Sequence, residues 1–564
     1  MWNKFRRIVT ASALVLNLPA GPAIVSAQQV PEDVPAITIR ANTRLVVVDV
    51  VATDKKGQPV TGLKSGDFTL EENGKKQKIS IFVPPGIANH TAAPVPAPAG
   101  VLSNHPENVL PTGVPTVLLL DATNSSFSNQ AYARSQMLQY VAEQNHAGQP
   151  MAVVTLTDQL RVLQDFTSNP QVLLTAIKRF KPEAQVFEES APITDITGMV
   201  FNFANIQIGY NTERRILITL DAMHSLTRML GGLPGRKNVV WLTESLPFDL
   251  IPQDRDISDA ELRAELPGQG RQRSVGVNSA GAQAEEQREL HNPEIRGAEA
   301  QLASAGIAIY PVDLRGLISG MENSADSRGS IQGSAWSTRA SARVSSQDNS
   351  HGTMEEVAAQ TGGKAYFNEN EIKDGIALAV SDDKASYSLG YYPENKKWDG
   401  KLRNIKVKLD RGDIEIRYRK GYFAIEPGLV KDHNYEQDVV AALAVNSPAT
   451  QVSFKAQAKP TDPGKIRVVF LVDAHTLTAE DSGGSKKMNV SLYATIWGAG
   501  DKSLATNGIK VDKTFDAATY QQILDKGMMV PIDLTIPAGG TELRLAVLDN
   551  KTGYIGTVSG PLGY

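Results

Sequence analysis

The chain has 564 residues, too many for one hydrophobic core, and its 41% hydrophobic and 21% charged residues describe about three or four globular domains rather than a disordered polymer. A formal net charge of -4 leaves no basic footprint of the kind nucleic-acid binding needs, so no nucleic-acid partner is expected. Cysteine is absent, which excludes disulfides, thiolate metal sites, cysteine nucleophiles and lipoprotein attachment, and cysteine-free export favours a bacterial origin.

Lys4, Arg6 and Arg7 form a basic start, Ile8 to Leu18 a short apolar run, and Val25-Ser26-Ala27 places small residues where a signal peptidase cuts. The reading is export with cleavage after Ala27, to the periplasm, the cell envelope or the medium. No later run is apolar enough to span a bilayer, so no membrane span remains after cleavage. Leu45 to Val51 is a β-branched strand ending in the turn Asp54-Lys55-Lys56-Gly57. Phe68 to Glu71 and Lys78 to Val83 alternate on either side of Asn73-Gly74, a type I′ hairpin signal. These strands make a thin core that must borrow strands from elsewhere. Seven prolines between Pro84 and Pro111 read as an extended linker.

From Val114 strands alternate with helices. Val117 to Leu120, Met151 to Leu156, Leu160 to Phe166, Asn238 to Leu242, Ile307 to Val312 and Ala365 to Phe367 read as strands. Helices are expected at Ser128 to Glu143, after a Ser168 cap with Pro170 opening, at Glu213 to Leu230, Asn292 to Ala305, Met354 to Gln360 and Ile372 to Val380. Asn145 to Gly148 stops the first of these helices. Repeated β-α alternation implies a doubly wound, mostly parallel sheet with helices on both faces. After Asp383 the strand period returns at Tyr387 to Tyr392, Arg403 to Leu409 and Ile414 to Arg419, with Asp410 to Asp413 as a hairpin turn. Val452 to Ala458, Lys465 to Val472, Met488 to Trp497 and Leu543 to Leu548 form a further β domain, with a short helix at Asp516 to Leu524.

The domain reading is a signal peptide at 1–27, an N-terminal β unit at 38–86, a Pro-rich linker at 87–112 and an α/β domain at 113–383 with mobile insertions at 252–290 and 316–350. Strands at 384–426 complete the N-terminal unit, and a C-terminal β-sandwich fills 448–564. The fold class is α/β plus all-β, the doubly wound layer flanked by immunoglobulin-like sandwiches.

Asp121-Ala122-Thr123-Asn124-Ser125 follows the first buried strand of the α/β layer. Ligand sites of open α/β sheets lie beyond the carboxyl ends of strands, and hard oxygen ligands suit Mg²⁺, Ca²⁺ or Mn²⁺. Asp121, Thr123 and Ser125 resemble the Asp-x-Ser-x-Ser motif of von Willebrand factor A domains, their metal-ion-dependent adhesion site, with Thr for the first Ser. The resemblance implies a further threonine before a helix, for which Thr194 and Thr197 are both candidates. It also implies an aspartate after the fourth strand, where this chain carries Glu244. A metal held there would keep one position open for a carboxylate of a protein partner. The alternative is a metal-free domain in which Asp121 caps its own loop and Thr123 and Ser125 make turn bonds.

A wider resemblance, to secreted A-domain-related proteins common in Acidobacteria, rests on segments distributed along most of the mature chain. They are Val60-Thr61-Gly62-Leu63-Lys64 with Asp67-Phe68, Gly232 to Asn238, Tyr310 to Gly316, Gln360 to Ala365, and Leu389 to Pro393 with Arg419 to Tyr422. It implies a fold, with no assigned reaction.

No His-Glu-x-x-His, Gly-x-Ser-x-Gly or phosphate-loop motif is present, so no enzyme activity is expected. Gly235-Arg236-Lys237 reads as a helix-closing segment. The leading reading is an exported adhesion-type binding protein. Its rivals are a metal-independent envelope scaffold and a hydrolase holding two metals between Asp121 and Glu244 or Asp313.

Overall fold

The computed structural model describes residues 45–86, 97–98, 100–109, 113–143, 149–182, 198–248, 279–315, 350–367, 372–399, 401–424, 434–444, 449–500 and 502–562. The expected signal peptide, Thr194, Thr197 and the helix stop at Asn145 to Gly148 lie outside the described residues.

Four short strands open the described chain: β1 (Val46–Asp54), β2 (Phe68–Glu72), β3 (Lys75–Gln77) and β4 (Ile79–Val83). Asn73 and Gly74 take φ values of +47° and +77° between the paired residues Glu72 and Lys75, a two-residue turn that only such residues enter cheaply. The segment read as a bare linker is corrected in part. It contains β5 (Val101–Ser103), which pairs with a strand of the C-terminal sandwich, and α1 (Pro106–Val109). Buried Asn104 secures this crossing, donating to Ala449 O and Val452 O at 2.8 Å each and accepting from Phe454 N at 2.8 Å. Its prolines flank the strand rather than interrupt it, which is why strand pairing survives.

The α/β unit follows in chain order: β6 (Thr116–Asp121), α2 (Phe127–Glu143), β7 (Met151–Leu156), β8 (Leu160–Thr167), α3 (Pro170–Arg179), α4 (Gly198–Leu230), β9 (Lys237–Thr243), α5 (Ser279–Ser304), β10 (Ile307–Asp313), α6 (350–361) and α7 (Ile372–Ser381). The sheet order is β10-β9-β6-β7-β8, parallel throughout except for the antiparallel edge strand β8. Every residue of β6, β7, β9 and β10 is buried, as central strands covered on both faces must be. One face packs Val117, Leu119 and Trp241 against α4, α5 and α6, and the other packs Leu118, Leu120 and Tyr310 against α2, α3 and α7.

Three expectations in this layer are corrected. Asn169, not Ser168, caps α3, its Oδ1 accepting from Gln171 N at 3.0 Å. Helix α4 starts at Gly198 rather than near Glu213. Helix α5 starts at Ser279, inside the stretch read as an irregular insertion, because Ala, Glu, Gln and Arg between 280 and 290 are strong helix formers despite Pro293 further on.

The chain then returns through β11 (Ser386–Tyr391), β12 (Leu402–Leu409), β13 (Ile414–Arg417) and β14 (Gly421–Phe423). Strand β1 pairs with β11 and β13, and β2 pairs with β12, giving two sheets ordered β13-β1-β11-β4 and β14-β12-β2-β3. Both sheets mix strands from before and after the α/β layer, around a shared core of Val48, Val50, Leu70, Tyr387, Leu389 and Val407. Asp410 to Asp413 is not a hairpin turn, a second correction by pairing: β12 and β13 belong to different sheets, so this segment crosses between them. A turn signal marks a reversal but leaves the partners of the flanking strands undecided.

The C-terminal unit contains α8 (Tyr435–Ala444), β15 (Phe454–Pro460), β16 (Lys465–Val472), β17 (Ala479–Ser482), β18 (Ser485–Gly498), β19 (Lys502–Phe515), α9 (Ala517–Lys526), β20 (Met528–Thr535), β21 (Gly540–Asp549) and β22 (Ile555–Pro561). One sheet runs β20-β16-β15-β5, the other β17-β18-β21-β22 with β19 also on β18, and Phe470, Val468, Leu492 and Leu545 fill the space between. Asp516 caps α9 by accepting from Thr519 N at 2.9 Å.

Polar bolts join the units. The buried Arg236 guanidinium donates to Tyr310 Oη at 2.7 Å and to Gly362 O at 2.9 Å. Tyr310 Oη in turn donates to Asp382 Oδ2 at 2.9 Å, and Arg417 of β13 donates to Asp382 Oδ1 at 2.7 Å. Arg236 therefore serves this junction rather than the end of α4, whereas Lys237 Nζ does donate to Leu233 O at 2.8 Å. On the other side Thr450 N donates to Arg228 O at 2.8 Å, Thr450 Oγ1 donates to Met229 O at 2.9 Å, and Gly232 N donates to Thr450 Oγ1 at 3.0 Å.

Candidate functional site

Asp121 ends β6, the central strand, so its side chain emerges at the carboxyl rim between β9 and β7. It is fully buried. Four protein donors meet its two oxygens. Asn124 N reaches Oδ1 at 2.9 Å, while Asn124 Nδ2 at 2.9 Å, Trp241 Nε1 at 3.0 Å and Thr243 Oγ1 at 3.1 Å all reach Oδ2. Burial pushes the carboxyl above its ordinary range, and these hydrogen bonds oppose that push. Arg215 of α4 extends the network, its Nε donating to Asn124 Oδ1 at 2.9 Å.

The remaining oxygens face other partners. The Thr123 hydroxyl donates to Leu156 O at 3.3 Å and to Thr157 O, across the rim toward β7. Ser125 Oγ accepts from Glu244 N at 3.3 Å. The Glu244 carboxylate turns to the first turn of α2, where Oε1 accepts from Ser126 N at 2.8 Å, from Asn129 Nδ2 at 2.5 Å and from the Ser126 hydroxyl. The extra methylene of glutamate provides that reach, and the helix N-terminus favours the negative charge. The structure thus brings Asp121, Thr123, Ser125 and Glu244 to one rim, but each is matched to a protein partner.

In this arrangement the rim oxygens already have partners within the protein. A cation at Asp121 would meet N–H groups of Asn124 and Trp241 already directed at the same oxygens, and the Thr123 hydroxyl is turned to backbone carbonyls. Among the described residues no three His, Asp or Glu side chains gather as metal ligands.

Asp313, at the matching end of β10, is engaged separately. Arg315 Nε donates to its two oxygens at 2.9 and 3.0 Å, Arg315 Nη2 to Oδ2 at 2.8 Å, and His351 Nε2 lies 2.7 Å from Oδ2. Burial alone would raise this carboxyl; the bonds from His351 and Arg315 hold it below the usual range. Strand β9 separates β10 from β6, placing the two strand ends about 9–10 Å apart.

Sequence reasoning missed Asn124, Trp241, Thr243, Arg215 and Asn129. One signal was present: a lone tryptophan in an aliphatic strand carries an N–H that must find an acceptor once buried.

No protein-family model matches the chain, and no curated protein matches it. Among solved structures it is similar to an aerotolerance-related membrane protein from Bacteroides fragilis NCTC 9343, at 12% identity over 48% of this chain and 100% of that one, TM-score 0.23. It is similar to BatB from Bacteroides thetaiotaomicron, at 13% identity over 48% and 98%, TM-score 0.24. It is also similar to the vWF domain of the type V pili tip protein Mfa5 from Porphyromonas gingivalis, at 12% identity over 48% and 96%, TM-score 0.24. Likeness at this level carries no argument, and the architecture rests on the strand order and pairing described above.

Proposed function

We propose that this chain is an exported binding or assembly scaffold of the cell envelope that works without a metal. The observation that supports the metal-free reading is the Asp121 carboxylate, which accepts four hydrogen bonds from Asn124, Trp241 and Thr243. The scaffold reading is supported by the buried bonds that bolt the α/β layer to both flanking β units, which we read as immunoglobulin-like spacers. The charged N-terminal leader read from the sequence supports export, and no helix among the described residues is long and apolar enough to cross a membrane.

A second reading keeps a divalent ion, Mg²⁺ before Ca²⁺ or Mn²⁺, engaging a partner's carboxylate. The shared rim position of Ser125 and Glu244, linked at 3.3 Å, favours it. Calorimetric titration of the full chain with Mg²⁺, Ca²⁺ and Mn²⁺ separates the two, using wild type, Ser125→Ala and Asp121→Ala. Equal, negligible heats in all three are expected. A saturable heat in the wild type that both substitutions abolish would establish the metal and end the metal-free reading.

A further inference from the structure

A cleft of about 520 Å³ lies where α6 and α7 of the α/β unit meet β13 of the N-terminal β unit, with no residue of the Asp121 loop in its lining. Leu378 and Ile416 give it apolar walls, Leu378 being 46% exposed. Three cations, Lys364, Arg417 and Lys420, line it against one acid, Glu355.

The two lysines differ from those of the chain that pair with acids. Lys408, Lys373 and Lys486 each pair with a carboxylate. Lys364 Nζ instead sits 5.3 Å from the Tyr366 ring centre, and Lys420 Nζ sits 4.8 Å from that of Tyr418. Among the described residues neither ammonium has a carboxylate at ion-pair distance. An aromatic face orients an ammonium without neutralising it, so both keep their charge for a ligand. Arg417 is paired with Asp382, so the two lysines carry the groove's available positive charge. In a chain of net charge -4 this is a locally positive, partly apolar groove.

We propose that this cleft is a docking site for an acidic, aliphatic-bearing peptide segment of a protein partner. Carboxylates of the segment would pair with Lys364 and Lys420, and its aliphatic side chains would cover Leu378 and Ile416. The proposal rests on the scaffold reading and names the kind of partner it would hold. It needs no metal and no part of the Asp121 loop.

Fluorescence anisotropy of the full chain tests it with a labelled octapeptide alternating Glu and Leu, and with Lys-Leu and Glu-Ser octapeptides as controls, in EDTA. The Glu-Leu peptide is expected to bind and both controls to bind more weakly. Lys364→Glu with Lys420→Glu is expected to weaken binding about tenfold, as two exposed attractions become repulsions, and 500 mM salt to weaken it similarly. Leu378→Ser is expected to weaken the Glu-Leu peptide alone. Binding indifferent to both the charge reversals and Leu378→Ser would overturn the proposal, as would no binding. Equal binding of a heparin fragment at the same lysines would overturn the peptide assignment. Loss of peptide binding in EDTA with recovery in Mg²⁺ would reject the metal-free reading instead, which keeps the two failures distinguishable.

Discussion

If Asp121 holds the rim together by accepting hydrogen bonds, its removal must destabilise the α/β unit. In Asp121→Ala the four donors lose their acceptor. Two keep another partner: Thr243 Oγ1 still donates to Ser245 O at 2.9 Å, and Asn124 Nδ2 still reaches Thr219 Oγ1 at 3.2 Å. Asn124 N and Trp241 Nε1 are left buried without an acceptor. At about 1–3 kcal/mol for each stranded group the gross cost is about 2–6 kcal/mol. Relief from burying a carboxyl offsets part of this, so a net loss of about 3 kcal/mol is expected. Urea unfolding of the full chain reads it, followed by tryptophan fluorescence, to which Trp241 contributes beside the chain's four other tryptophans. With a slope of about 2–3 kcal/mol per molar urea, the transition reporting on this layer should move down by about 1–1.5 M. Because the chain has several units, the midpoint of that transition is the quantity compared, rather than one global free energy. An unchanged or raised midpoint would refute the reasoning, since an aspartate kept for an ion would be better tolerated as alanine in the absence of that ion.

Two further outcomes follow from other buried groups. Glu299 of α5 is 3% exposed, its Oε1 has no hydrogen-bond partner, and burial together with the nearby Glu356 pushes its carboxyl up to about 8. The folded state therefore holds a proton that the unfolded state releases near pH 4.5, so stability falls as pH rises from there to about 8. Glu299→Gln should flatten that fall and stabilise the α/β unit at pH 8 by on the order of 2–4 kcal/mol, measured by urea midpoints at pH 5 and pH 8. A gain of equal size at pH 5 would contradict it. At the other junction, a Cβ added to Gly232 would lie 1.7 Å from Thr450 O, which is backbone and cannot step aside. Gly232→Ala should therefore loosen the α/β layer from the C-terminal sandwich, seen as faster protease cleavage near residue 450 with both units still folded. An unchanged cleavage rate would count against this junction.

The chain's periodicities alone determined much of the fold. Buried runs such as Val117 to Leu120 and Met151 to Leu156, separated by helical stretches, dictate a layer covered on both faces, and the observed β7 has the expected limits. Asn73-Gly74 determined its own turn, because a two-residue turn needs only local backbone freedom, but its second arm is Lys75–Gln77, and the expected arm, Lys78 to Val83, joins the other sheet as β4. The same order of elements placed the Asp121 loop at a carboxyl rim.

Contacts between distant segments decided the rest. Nothing local to 101–103 shows that it joins β15, more than 350 residues later, and nothing local to Asp410 to Asp413 shows that β12 and β13 part company. The character of the rim was likewise set at long range. Asp121 is filled by Trp241 and Thr243 from a neighbouring strand about 120 residues away, and Glu244 turns to α2 instead. Local sequence encodes period, turn and residue type. Which donor satisfies a buried carboxylate depends on which strands and helices are brought alongside it, and that is settled only when the chain has packed.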